Sequence, residues 1–259
     1  MRFEKWQALG NDYLIVEADG LEPERVRALC DRHRGVGADG VLALAPPDEP
    51  GYVARLRIFN PDGSEAELSG NGARQALLYL RDRGWTAAPT YSIQTLAGEI
   101  RATITGEHSC RVDMGRATLS SEGELEGWRY QHIVIGNPQT AIRVAARDDL
   151  EALDLAAIGP RIERAPIFPN RTNVSFCTEL APDRIRARIF ERGVGETLSS
   201  GTGACGAAVA HVLRGGDSPV TVALDGGELV VDVDEALHVD LTGWAVPIYR
   251  GELLSPQKR

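Results

Sequence analysis

Laid over itself, the 259-residue chain matches at one fixed offset: RLRIFNPDGSEAELSGNGARQA, from Arg55 to Ala76, aligns without a gap on RARIFERGVGETLSSGTGACGA, from Arg186 to Ala207. The shift is 131 residues, and ten of the 22 positions are identical: Arg55/Arg186, Arg57/Arg188, Ile58/Ile189, Phe59/Phe190, Glu65/Glu196, Ser69/Ser200, Gly70/Gly201, Gly72/Gly203, Ala73/Ala204 and Ala76/Ala207. Average composition gives nothing close to that, so the segment is duplicated. Arg83-Gly84 and Arg214-Gly215 obey the same offset. Because 131 is about half the chain length, the arrangement is two related halves; solenoid repeats run at about 20 to 50 residues.

Each copy has the same local grammar. RLRIF and RARIF alternate polar and apolar residues, as a half-buried strand does. A polar stretch with glycine follows, then Ser-Gly-x-Gly-Ala, then an apolar-periodic run that stops at Arg-Gly. Serine before such a run and glycine after it are start and stop signals, and they predict a helix of about three turns in each half. Further strands are expected at YSIQTL, EIRATIT, CRVDMG, QHIVIGN, VTVAL, ELVVDVD and LHVDLT, with other helices at Pro23 to Arg32 and Leu150 to Ile158. The expected fold is α+β: two pseudo-symmetric lobes, each a mostly antiparallel sheet around a central helix.

Net charge is −9, which argues against a surface for nucleic acid or anionic lipid. No apolar run reaches the roughly 18 residues of a membrane span, and MRFEKWQALGND lacks a signal-peptide core. The expectation is a cytosolic protein with neither nucleic acid nor membrane as partner. Cys30, Cys110, Cys177 and Cys205 form no CxxC pair, and the five histidines form no metal-binding spacing, so buried thiols and no metal are expected.

Two matching helix entries point to a site between the lobes. A helix N-terminus presents unpaired N–H groups and about half a positive charge, and glycine allows close approach of a ligand. Two such entries facing one cleft would hold a small anion such as a carboxylate. Ser69 and Ser200 would then flank it from opposite sides, which is the arrangement needed to invert a stereocentre: one group removes a proton and the other delivers one to the far face. The plainer alternative is that both serines only cap their helices.

The residues also match a family. ALGNDYLIV (8–16), RHRGVGADGVL (32–42), RIFNPDGSEAELSGNGAR (57–74), GNPQ (136–139), RTNVSF (171–176), ERGVGETLSSGTGAC (191–205) and DGGELVV (225–231) resemble, in order and nearly end to end, the diaminopimelate epimerases. These interconvert LL- and meso-diaminopimelate without a cofactor, on the route to lysine and peptidoglycan. The resemblance implies a small amino-acid substrate, a homodimer, and lobes at residues 1–116 and 117–247 with 248–259 returning to the first. It implies that Asn11, Asn60, Asn137, Asn173, Glu191 and Arg192 line the substrate site, with Gly70, Asn71, Gly201 and Thr202 giving helix-entry contacts. Arg192 would make a charge-assisted contact to the distal carboxylate.

The departures lie at the chemistry. The family's acid and base are two cysteines; here those positions are Ser69 and Ser200, and Gln139 stands where the family has a histidine. A helix N-terminus can bring a thiol into working range. It is worth roughly 0.3 to 2 kcal/mol, about one pKa unit, which is too little for an alcohol. Serine catalysis relies on an adjacent base, and Glu191 is the candidate. Three readings follow: an epimerase in which the serines still work, poorly or through a further arrangement, with Glu191 and Gln139 as the other catalytic candidates; an epimerase whose two cysteines were changed to serine to trap a complex; or a diverged chain that binds an amino acid without epimerising it. A weaker alternative is dinucleotide binding, because GVGADG (35–40) and GTGACG (201–206) both satisfy GxGxxG. Neither directly follows a strand, as that motif requires.

Overall fold

The computed structural model describes residues 1–254. The described residues divide into two compact units, Met1–Val112 with 244–254, and Asp113–Gly243. Among the described residues no helix is long and apolar enough to cross a membrane.

The first unit contains β1 (Arg2–Ala8), β2 (Asn11–Glu17), α1 (Pro23–Cys30), β3 (Gly40–Ala45), β4 (Arg55–Phe59), β5 (Glu65–Ala66), α2 (Gly70–Asp82), β6 (Thr90–Thr95), β7 (Gly98–Gly106) and the first half of β8 (Ser109–Arg116), and it recovers β18 (Val246–Glu252) from the far end of the chain. Its strands pair in the order β18–β1–β2–β3–β4–β6–β7–β8, with short β5 beside the end of β4. The second unit contains β9 (Thr118–Leu125), β10 (Trp128–Ile135), β11 (Asn137–Arg143), α3 (Arg147–Glu151), α4 (Leu155–Glu163), β12 (Asn173–Ala181), β13 (Arg184–Glu191), β14 (Gly195–Thr197), α5 (Gly201–Leu213), β15 (Val220–Leu224), β16 (Gly227–Val233) and β17 (His238–Trp244). Its order is β9–β10–β11–β12–β13–β15–β16–β17, with β14 beside β13. The two orders are the same pattern. In each, one parallel pair spans an outer crossover (β2–β3, β11–β12) and one spans the long helix (β4–β6, β13–β15), while the other neighbours are antiparallel.

Parallel neighbours need a crossover of a dozen or more residues, which fixes where the helices lie. Between β11 and β12 the crossover is α3 and α4, whose Leu150, Leu155 and Ile162 pack with Phe168, Phe176 and Phe190. Between β2 and β3 it is α1, whose Val26 and Leu29 pack on Leu14, Val41 and Phe59. The long helices fill the other face. α5 touches β10, β11, β12, β13, β15 and β16; six neighbouring strands at about 4.8 Å spacing span about 24 Å, more than twice the width of a helix, so the sheet must curl around it. Burial agrees, since every residue from Gly201 to His211 is buried.

The helix limits carry the signals expected of them. Ser69 and Ser200 cap α2 and α5, and beyond each C-terminus Gly84 and Gly215 take φ of +73° and +94°, the left-handed stop that glycine adopts without a Cβ clash. Two expectations change. The helix at Leu150 to Ile158 is two helices, because the Asp154 side chain accepts from Ala157 N and starts α4 afresh. α1 ends at Cys30 instead of Arg32, because Asp31 turns its carboxylate onto the amides of His33 and Arg34, both at 2.8 Å.

Candidate active site

In the second unit the site is built at the junction of β13, β14 and α5. Glu191 ends β13, Thr197 ends β14, and Ser200 caps α5. Ser200 Oγ accepts from Gly203 N at 3.3 Å and donates to Glu191 Oε2 at 2.9 Å; Thr197 Oγ1 donates to Glu191 Oε1 at 2.7 Å. The helix comes this close because residue 203 is glycine: a Cβ there would lie 2.8 Å from Ile189 Cδ1. Burial pushes the Glu191 carboxyl up, against the two hydroxyl donors that pull it down. A carboxylate whose proton affinity burial raises above the ordinary value, holding a hydroxyl, is the pairing a general base needs.

In the first unit the duplicated serine keeps the cap and changes its company. Ser69 Oγ accepts from Gly72 N at 3.0 Å and from Tyr13 Oη at 3.2 Å. The position equivalent to Glu191 is Asn60, whose amide donates to Ser64 Oγ at 3.0 Å inside its own loop. Tyr13 is the third residue of β2, where Gln139 is the third residue of β11. Gln75 and Gly206, equivalent by the 131-residue offset, are exchanged in role. Gln75 donates to the Asn11 carbonyl at 3.0 Å, whereas a Cβ on Gly206 would lie 2.6 Å from Gln139 Cβ, so the glycine makes room for that side chain.

The remaining expected residues fall into the same two groups. Asn11 and Asn137 open β2 and β11, where Asn11 donates to Asp39 Oδ2 at 3.0 Å and Asn137 accepts from Gln139 Nε2 at 2.5 Å. Gln139 makes no hydrogen bond to Ser200; its Oε1 is buried without a partner. Asn173, at the start of β12, accepts from Arg192 N at 2.7 Å, which ties the β13 end to β12 beside Glu191. The Arg192 guanidinium is exposed, and donates to the Asn170 carbonyl at 2.8 Å. Gly70 and Asn71, and Gly201 and Thr202, are the first residues of α2 and α5. Sequence reasoning passed over Tyr13 and Thr197. Setting GNDY (10–13) over GNPQ (136–139) would have drawn attention to Tyr13, since both glycines take positive φ.

No cysteine substitutes for the serines. All four are buried, and burial pushes Cys30 up to about 11 and Cys110 up to about 12. Among the described residues the grouping with metal-ligand chemistry is Asp113, His238 and Asp240, in which His238 Nε2 pairs with Asp113 Oδ1 at 3.0 Å. The first GxGxxG segment leads from α1 into β3, and the second lies inside α5. Neither is the strand-to-helix loop that cradles a dinucleotide.

Comparison with known proteins agrees with the sequence pattern. The family profile described as diaminopimelate epimerase matches residues 3–120 and 132–246. Curated relatives of that name from Synechococcus sp. (strain JA-2-3B'a(2-13)) and Pelotomaculum thermopropionicum are each 40% identical, covering 97% of this chain and 97% and 98% of theirs. Among solved structures, a putative phenazine biosynthesis PhzC/PhzF protein from Clostridium difficile has a TM-score of 0.76 at 13% identity, covering 98% of this chain and 100% of its own. A probable proline racemase from Agrobacterium radiobacter K84 scores 0.72 at 16%, covering 99% and 94%; both are likenesses of fold. Profile and relatives together span the duplicated strands, both helix entries and both capping serines, and the chain belongs to the diaminopimelate epimerase family.

Proposed function

We propose that this chain is a cofactor-independent diaminopimelate epimerase that interconverts the LL and meso isomers by proton transfer at the α-carbon. The observation that carries the reading is the Ser200–Glu191 hydrogen bond at the N-terminus of α5, because it answers the objection that serine lacks a base. Ser200 takes the α-proton as its own proton moves to Glu191. Ser69 delivers a proton to the opposite face, and the amides at the starts of α2 and α5 favour the substrate carboxylate. Asn11, Asn60, Asn71, Asn137, Asn173 and Thr202 supply polar contacts to the ammonium and carboxylate groups, and Gln139 holds Asn137. Arg192, on a donor that can leave the Asn170 carbonyl, selects the distal carboxylate. Lysine and peptidoglycan biosynthesis and a homodimer follow from the family resemblance.

The test is conversion of LL-diaminopimelate to the meso isomer, followed by chiral chromatography. Conversion by the purified chain, lowered at least about a hundredfold by Glu191→Gln, is expected. Tight binding of diaminopimelate with no conversion at any pH between 6 and 10 would overturn the reading in favour of a binding protein.

A further inference from the structure

The two serines differ in where their single proton points. Ser200 commits its proton to Glu191 and gives one lone pair to the Gly203 amide. One lone pair is left over, so the hydroxyl can meet a ligand only as an acceptor. Ser69 receives two donors, the Gly72 amide at 3.0 Å and the Tyr13 phenol at 3.2 Å. Both of its lone pairs are engaged, and what it has left to offer is its own proton.

Resting on the epimerase reading above, we infer that each duplicated serine is a conduit between the α-carbon and a stronger proton-holding group, Glu191 behind Ser200 and Tyr13 behind Ser69, so that in the LL-to-meso direction Ser200 accepts and Ser69, held by Tyr13, donates, and in the reverse direction the two exchange roles.

The protons balance. On the Ser200 side the α C–H bond breaks, its electron pair stays on carbon, the proton joins Ser200 Oγ, and the Ser200 proton joins Glu191. On the Ser69 side the carbon electron pair takes the Ser69 proton to form the new C–H bond, while the Tyr13 proton moves to Ser69 Oγ. The charge left behind is a phenolate. A phenol ordinarily titrates near 10, far below an aliphatic alcohol, so the relay avoids leaving an alkoxide. Solvent resets both ends.

The surroundings of Tyr13 fit this role. It is buried, and the ring lies over Gly40 of the neighbouring β3, where a Cβ would come within 2.5 Å of Tyr13 Cε1. Any larger residue at 40 would displace the phenol from Ser69. The Gln75 amide on the Asn11 carbonyl pins β2 to α2 two residues away. Tyr13 acts through Ser69 and is therefore a positioning residue.

The experiment is a double-mutant cycle in the full chain, with inversion of LL-diaminopimelate and solvent-deuterium exchange measured side by side. Tyr13→Phe keeps the ring and removes the donor. With serine at 69 it should cut inversion by roughly a hundredfold, the usual reach of a lost acid, while same-face exchange at the Ser200 side changes less than about threefold. In the Ser69→Cys background, where the thiol ordinarily titrates near 8.5 and carries its own proton, the same Tyr13→Phe change should cost less than about threefold. An equal penalty in both backgrounds would mean that Tyr13 only supports the fold, and would overturn the inference alone. No exchange and no inversion in any of the four chains would overturn the epimerase reading and the inference with it.

Discussion

The half-sites around Ser69 and Ser200 share a scaffold and differ in their chemistry. The two serines have nearly the same backbone, φ −138° and ψ 116° against φ −138° and ψ 122°, and each accepts from the amide three residues on. Their supporting strands are tied by the same cross-strand ion pairs, Arg57–Glu65 and Arg188–Glu196. Around that frame Asn60 stands against Glu191, Tyr13 against Gln139, and Gln75 against Gly206. Identity between the halves holds each helix start and its serine in place; the differences give the two serines unlike hydrogen-bond partners.

The largest expected effect comes from making both capping positions thiols, which need neither Glu191 nor Tyr13 to carry a proton. Ser69→Cys with Ser200→Cys puts two thiols at the helix starts with almost no change in volume, and should raise the rate of inversion by orders of magnitude. Each single change should leave inversion well below the double. A starting chain that already matches the double variant would mean the relays through Glu191 and Tyr13 are as good as thiols.

Next comes Glu191→Gln, which should lower inversion by about 10²- to 10⁴-fold, the span of a lost general base. The pH behaviour has a definite sign. Burial raises the Glu191 carboxyl above its ordinary 4.5, so activity should fall on acidification at a pH above the usual carboxylate range. In stability the same shift works against the native protein: the penalty for holding a buried carboxylate begins as pH rises past 4.5 and is complete above the raised value. The Tm of Glu191→Gln should therefore exceed that of the unchanged chain at neutral pH, with the gap closing toward pH 4. A gap that widens on acidification would refute the assignment of a raised carboxyl.

Arg192→Ala should weaken diaminopimelate binding by roughly 1.5 to 3 kcal/mol, the worth of a charged hydrogen bond, measurable by calorimetry. Affinity for an amino acid with no distal carboxylate should not change. The smallest effect tests the shared scaffold: Ser69→Ala and Ser200→Ala should each cost about 1 kcal/mol of stability from the lost cap. Unequal costs would show that the partners of the two hydroxyls, and not the caps, dominate their energetics.

Much of this was legible in the chain because duplication leaves paired evidence. Ser-Gly-x-Gly-Ala, Arg-Gly and the alternating RLRIF and RARIF strands each appear twice, and the structure forms α2, α5, β4 and β13 from them. Strand β9, TLSSEGEL, was not legible: nearly all of it is exposed, so no alternation marks a buried face. The break at Asp154 was missed because a cap inside an apolar run leaves the helical period nearly intact. Glu191 was found beside Ser200 from the family pattern. Tyr13 was not, because its value lies in a hydroxyl meeting residue 69 across 56 positions of sequence, a contact that periodicity does not record.

The most direct test of paired, unequal half-sites is the fate of the α-hydrogen when the unchanged chain acts on LL-diaminopimelate in deuterated water, read by mass spectrometry of the separated isomers at early times. Two groups working from opposite faces predict meso product carrying one deuterium at the inverted carbon. Meso product that retains the original hydrogen would show a single group carrying one proton from face to face, and would contradict the account.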